Sequence, residues 1–366
     1  MKSMHFSRMI QFSMFCLVAF GVVNGAGAQA VPPSDPVESS APANIPTPRG
    51  NISSDSLKPE IYEDINTPSL KGSKLVQIPA IPGDVSTIDN VYTHEVTRVI
   101  WRPGDGVDLY IVKPVGIKNP PVILYLYSYP FETDRFLDHD FCKFLVKNGY
   151  AAVGFPSFLT AQRYHDVPMK EWFVSDLPRS LAVTAHDVQM ILNYLDSRGD
   201  LDMNRVGMFG DGSGATIAIL AAAADPRIKT LDLLDPWGDW PDWIAKSTRI
   251  PEKERPDYLK PEWLAKVEPL DPVKWLPLLK TQKIRIQFIK TVLITPPLVQ
   301  QKIEAAAPAN AQIVHYDDTA AFKKAIAGGT GFDWIKQQTK AGREAEDKTA
   351  DTQPGNSSNP KKDLRR

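Results

Sequence analysis

The most concentrated chemistry in the sequence is the run Gly210-Asp211-Gly212-Ser213-Gly214. It follows a short apolar stretch (205–209) and opens an alanine-rich one (215–224), so it reads as the turn from a buried strand into a helix. Glycines at both ends allow the two elements to approach closely, and the central glycine tolerates backbone angles that other residues avoid. Successive N–H groups at such a helix start, from Gly212, Ser213 and Gly214, form a nest for a small anion or carboxylate. Ser213 carries the hydroxyl of the run. A serine becomes a nucleophile only with a base in hydrogen-bond reach and an acid that orients the base. Asp235, at the end of the next apolar run, and His315, in Ile313-Val314-His315-Tyr316, are the partners that sequence order offers. Each has a plainer reading, Asp235 before Pro236 as a turn former and His315 as a strand residue. Gly210, Gly212 and Ala215 also meet the dinucleotide pattern G-x-G-x-x-G/A in part, with Asp235 about 20 residues on. That motif belongs on the first strand of its domain, whereas here a hairpin, two strands and two helices come before it.

The elements that must hold these residues alternate along the chain. Segments 94–101 and 107–113 flank the turn-like Pro103-Gly104-Asp105-Gly106 and predict an antiparallel hairpin. The run Pro121-Val122-Ile123-Leu124-Tyr125-Leu126-Tyr127 is nearly all apolar, as expected of a strand buried on both faces. A helix is predicted over 138–148, ending at Gly149, then a strand over 150–155 and a helix over 181–197. Strand 205–209, helix 215–224 and strand 230–234 complete a doubly wound α/β pattern.

In this order, the run DLDMNRVGMFGDGSGATIAILAAAADPRIKTLDLLDP resembles the segment of α/β hydrolases that carries the nucleophile elbow, particularly in the dienelactone hydrolase, acyl-peptidase and acetylesterase branch. The resemblance extends over most of residues 90–340. It implies an α/β-hydrolase fold: a doubly wound, mostly parallel sheet with an N-terminal antiparallel hairpin and a small cap insertion. Matching the outer glycines of G-x-S-x-G to Gly210 and Gly214 puts Gly212 at the nucleophile position. A shift by one residue would put Asp211 and Ala215 where close-packing glycines belong. The oxyanion donors implied are the N–H of Ser213 and the loop after the first buried strand, at Tyr129. The acid pattern G-x-x-D-x-x-x-P meets Ile289 in place of glycine, Val292 in place of the acid, and Pro296. Residues 317–322, where the histidine belongs, contain none, and the frequent His-Gly pair is Tyr127-Ser128. The expectation is a hydrolase fold without its triad that binds a small ligand or a partner through the former active-site cleft. The alternative is an ester or peptide hydrolase using Ser213, with Asp235 and His315 as relocated partners.

The aromatic segment Pro236-Trp237-Gly238-Asp239-Trp240-Pro241-Asp242-Trp243 falls where this fold carries a cap. Its tryptophans either pack that cap or, as Trp237 and Trp240 with Tyr127 and Tyr129, line a pocket for a ring. His186, beside Asp187, and His165 show no metal spacing, and no cofactor is expected. A formal net charge of -1 over 366 residues gives no reason to expect nucleic acid or an anionic surface as partner. Lys2 and Arg8, the apolar run 9–23 and Ala28-Gln29-Ala30 predict a secretory leader over 1–30, too short in its apolar part for a stable membrane anchor. Export to the periplasm or the medium follows. A Pro/Ser-rich spacer is expected over 31–74, one domain over 75–340 and a charged tail over 341–366. The mature chain keeps Cys142 alone, so no internal disulfide supports the fold.

Overall fold

The computed structural model describes residues 78–102, 105–130, 132–160, 168–281 and 283–339. The leader, spacer and tail predicted from sequence lie outside the described residues. Nine strands form one sheet among these residues: β1 (Ala80–Ile88), β2 (Tyr92–Arg102), β3 (Asp105–Pro114), β4 (Pro121–Leu126), β5 (Ala151–Gly154), β6 (Asp202–Asp211), β7 (Ile228–Leu234), β8 (Lys283–Ile289) and β9 (Ala311–Tyr316). Their order is β1-β2-β3-β5-β4-β6-β7-β8-β9. The β1-β2, β2-β3 and β3-β5 pairs are antiparallel and all later ones parallel.

β2 and β3 are the hairpin read from sequence, a little longer at both ends. β1 was not legible, because Pro82-Gly83 inside it reads as a turn. It is tolerated at a sheet edge, where a break in register between Pro82 and Val85 absorbs the proline. β4 is buried along its whole length, which is why its sequence is apolar without alternation.

Helices cover both faces of the sheet. α1 (His139–Val146) is capped by the Asp138 carboxylate, which accepts from the N–H groups of Asp140 and Phe141. α2 (Met169–Arg198) begins twelve residues before its sequence-based start. Pro178 reads as a break, yet buried Trp172, Phe173 and Leu177 hold the helix on through it, offsetting a cost of about 3 kcal/mol. α3 (Ser213–Ala224) packs between α2 and the strands β6 and β7. The opposite face is closed by α1, by a later helix over Thr319–Ala327 and by helical turns over 333–339. Phe141, Leu145, Phe322, Phe332 and Ile335 pack there with Tyr125, Tyr127 and Phe209.

Between β7 and β8 the chain forms the cap, with α4 (Trp240–Lys246), α5 (Arg255–Tyr258), α6 (Pro261–Val267) and α7 (Pro272–Trp275). α8 (Pro297–Ala306) and α9 (Thr319–Ala327) follow β8 and β9. The Asp271 carboxylate ties the cap together, accepting from the N–H groups of Asp239, Trp240 and Val273 at 3.0, 3.2 and 3.0 Å. No helix among the described residues is long and apolar enough to cross a membrane.

Candidate active site at the β6–α3 turn

β6 ends at Asp211 and α3 begins at Ser213, so the whole reversal falls on Gly212, with φ 55° and ψ -115°. Only glycine adopts these angles without strain. The flanking glycines serve close approach. A Cβ on Gly210 would lie 2.5 Å from the Gly214 carbonyl oxygen, and one on Gly214 would overlap the Leu126 carbonyl. These contacts fix the register of the turn with Gly212 at its centre.

The space above Gly212 is occupied. A Cβ there would meet Ser128 Oγ at 2.5 Å, Ser128 Cβ at 3.1 Å and Trp237 Nε1 at 3.2 Å. Rotation of Ser128 relieves the first contact but not the other two. Ser213, wholly buried, points away from this space. Its Oγ accepts the backbone N–H of Tyr129 at 3.0 Å. The hydroxyl and the loop N–H, two of the groups singled out from sequence, therefore satisfy each other. The N–H of Gly212 is also committed, to Leu234 O at 2.9 Å. The Ser213 N–H, at the first position of α3, has no backbone acceptor among the described residues.

The relocated partners are not brought to Ser213. Asp235 is buried after β7 with its carboxyl accepting from the Ile289 N–H at 3.1 Å, and burial drives its pKa well above the carboxylate range. This carboxyl is not exposed to a ribose, which removes the acid that the dinucleotide reading needs. His315, on the edge strand β9, stacks on Phe288 and faces Glu304, with Nε2 3.0 Å from its carboxylate. None of the three hydrogen-bonds either of the others among the described residues.

The expected pocket walls are packed inside the protein. Tyr127 lies against Tyr125, Phe141 and Phe209 on one face of the sheet. Trp237 and Trp240 belong to the cap, where Trp237 stacks on Trp243 at 4.7 Å and Trp240 meets Trp243 edge-on at 5.7 Å. Phe173 joins them from α2, with Tyr258 and Trp263 behind it. Tyr129 stacks on Trp172 at 5.1 Å.

Neither a family model nor a curated protein sequence matches the chain. Solved structures do. Acetyl xylan esterase 1 of a Thermoanaerobacterium species superposes with a TM-score of 0.55, over 71% of this chain and 87% of its own, at 15% identity. An acetyl xylan esterase of a Paenibacillus species gives 0.56, over 71% and 89%, at 16% identity. The chain has the α/β-hydrolase fold.

In an α/β hydrolase the acid and the histidine come from the loops after the late strands. Here the loop after β8 carries Val292, which packs against the core, and the loop after β9 carries Asp317 and Asp318. Asp318 caps α9 by accepting the Ala321 N–H, and Asp317 pairs with Lys290 at 2.7 Å across the two loops. A surface ion pair and a helix cap thus stand in the stretches where the base and acid are sought.

Four side chains near the turn were not singled out from sequence. Ser128 fills the space above Gly212. The Asp211 carboxyl has no hydrogen-bond partner among the described residues, and burial pushes its pKa up to about 6 against the opposing pull of Arg135. Arg135 stacks over Tyr127 at 4.3 Å, and Arg249 over Tyr129 at 5.3 Å. The sequence signal was weak: an arginine either side of one Tyr-Ser-Tyr segment is visible only once the chain is folded. Of the histidines noted earlier, His186 Nδ1 lies 3.2 Å from Gln189 Oε1, and His165 is outside the described residues. No cluster of three or more potential metal ligands occurs among the described residues.

Proposed function

We propose that this protein is an exported, non-hydrolytic member of the α/β-hydrolase fold that binds a small ligand through the former active-site cleft, beside the β6–α3 turn rather than directly over Gly212. The observation that carries the reading is the turn itself: it keeps the backbone angles that hold a nucleophile, but its side of the cleft is filled by Ser128 and Trp237. Hydrolysis through Ser213 is disfavoured because its Oγ accepts from Tyr129 and has no base within hydrogen-bond reach among the described residues. Binding is supported by donors left without acceptors at the turn, among them the buried Trp237 indole N–H. Export rests on the leader pattern in residues 1–30.

Hydrolysis of a panel of short chromogenic esters by the purified mature chain tests this, with Ser213→Ala, Ser128→Ala and Gly212→Ser alongside. All four proteins should be inactive. Turnover by the parent that disappears in Ser213→Ala or Ser128→Ala would establish an active serine hydrolase instead.

A further inference from the structure

Arg249 stands apart from the other deeply placed arginines. Arg102 pairs with Asp105 and Asp187, Arg198 with Glu95 and Asp200, Arg227 with Asp225, and Arg285 with Asp232. Arg249 has no ion pair or side-chain hydrogen bond among the described residues, and its Nε is buried without an acceptor. Its backbone is fixed nonetheless: the Arg249 N–H donates to Ser247 Oγ at 3.1 Å, and Ser247 Oγ donates to Ile294 O at 2.6 Å. The guanidinium is thereby held over the Tyr129 ring. Burial pulls its pKa below the ordinary value, so the surroundings disfavour the charge they hold. A cation kept under those conditions is stabilised by an anion that reaches it.

A second, independent observation points to the same place. Trp237 is 1% exposed, its Nε1–H has no acceptor among the described residues, and that nitrogen lies 3.2 Å from where a Cβ on Gly212 would be. Gly212 is the N-cap of α3, a twelve-residue helix whose first N–H groups and dipole favour negative charge. Ser128, whose hydroxyl makes no hydrogen bond among the described residues, lies against Gly212, and the next residue, Tyr129, carries the guanidinium on its ring. A cation, an indole N–H, a hydroxyl and a helix start gather around two consecutive residues.

We propose that this group binds the carboxylate of a small organic acid, Arg249 supplying the charge and Trp237, Ser128 and the start of α3 the remaining donors. The assignment rests on the binding reading above and names the ligand class for it. Geometry favours a carboxylate: a planar guanidinium matches its two oxygens, and the Tyr129 ring, stacked on Trp172, holds that guanidinium in place.

Benzoate and acetate titrated into the mature protein, followed by tryptophan emission and calorimetry, test the proposal, with benzamide as the neutral counterpart and inorganic phosphate as the other anion. Benzoate should bind saturably and benzamide far more weakly. Arg249→Gln should weaken benzoate about tenfold or more, Arg249→Lys should restore part of the affinity, and Trp237→Phe, which keeps an aromatic ring but loses the N–H, should weaken it less. Arg249 makes no ion pair or side-chain hydrogen bond among the described residues, so its replacement leaves no hydrogen-bonding group orphaned, and an unchanged thermal unfolding midpoint in Arg249→Gln checks that only the stacking on Tyr129 is lost. Absence of saturable binding by either carboxylate, benzamide binding as tightly as benzoate, phosphate binding more tightly than both carboxylates, or unchanged affinity in Arg249→Gln overturns the assignment. Ester hydrolysis lost in Ser213→Ala sinks the binding reading itself, whatever benzoate does, so the two failures are distinguishable.

Discussion

The backbone N–H of half-buried Tyr129 donates to the hydroxyl of fully buried Ser213 at 3.0 Å. In this fold an N–H on that loop and the residue after the nucleophile serve the oxyanion; here one hydrogen bond joins them. The bond fastens the loop after β4 to the start of α3. Replacing Ser213 by alanine leaves the Tyr129 N–H without its acceptor, and the protein should lose about 1–3 kcal/mol of stability. Chemical denaturation measures the loss. A Ser213→Ala variant as stable as the parent would show that the bond contributes nothing.

Gly212→Ser restores the pattern G-x-S-x-G but not the space for it. The new Cβ must share a position with Ser128 and Trp237 and take a φ of 55°. The substitution should cost about 1–3 kcal/mol from backbone strain alone. A Ser128→Gly background should return part of that loss, because it removes both Ser128 atoms from the contact, whereas the indole nitrogen remains. A double-mutant cycle on thermal unfolding should therefore give a coupling of about 0.5 kcal/mol or more. Purely additive losses would mean that Ser128 does not close the site.

Most of the architecture was legible because burial writes itself into composition. The unbroken apolar run of β4, the Ala-rich α3 and the glycine spacing at 210, 212 and 214 each have one physical reading, and the sheet realises it. β1 and the first half of α2 were not legible, since Pro82 and Pro178 are local stop signals that an edge position and aromatic packing override. The missing groups of the site could be read as absences in the pattern. What replaces them could not, because the approach of Ser128, Trp237 and Arg249 depends on a cap and a loop more than 100 residues apart in sequence meeting over one turn.

Asp211 makes stability depend on pH. Burial raises its folded-state pKa to about 6 from an unfolded value near 4, with Asp235 and the Tyr127 ring close by and Arg135 in partial opposition. Between roughly pH 4 and pH 6 the unfolded chain gives up this proton before the folded one does, so the Asp211 contribution falls as pH rises and is constant above that window. Asp211→Asn removes the ionisation. The variant should be more stable than the parent at pH 8 by about 1–2 kcal/mol, less than the full shift implies because the carboxyl is partly exposed, and nearly equal to it at pH 4. Equal stability of the two proteins at both pH values would show that the carboxyl is solvated at no cost.

Asp232 and Arg285 form a buried pair across β7 and β8, joined at 2.9 and 2.7 Å. Arg285 also donates to the carbonyls of Thr330 and Gly331, and Gln287 donates to Asp232. The pair thus ties the segment after α9 to β7 and β8. Arg285→Met strips the partner from a carboxylate that burial already drives toward the neutral form, and should cost about 3–5 kcal/mol. Adding Asp232→Leu removes the stranded charge, so the double variant should be more stable than Arg285→Met alone, although Thr330 and Gly331 still lack their donor. Hydrogen exchange should show protection lost over 328–339 in both variants, because that loss follows the missing guanidinium rather than the carboxylate. If Arg285→Met keeps full protection there, the anchoring role belongs to the aromatic packing of Phe332 and Ile335 and not to the ion pair.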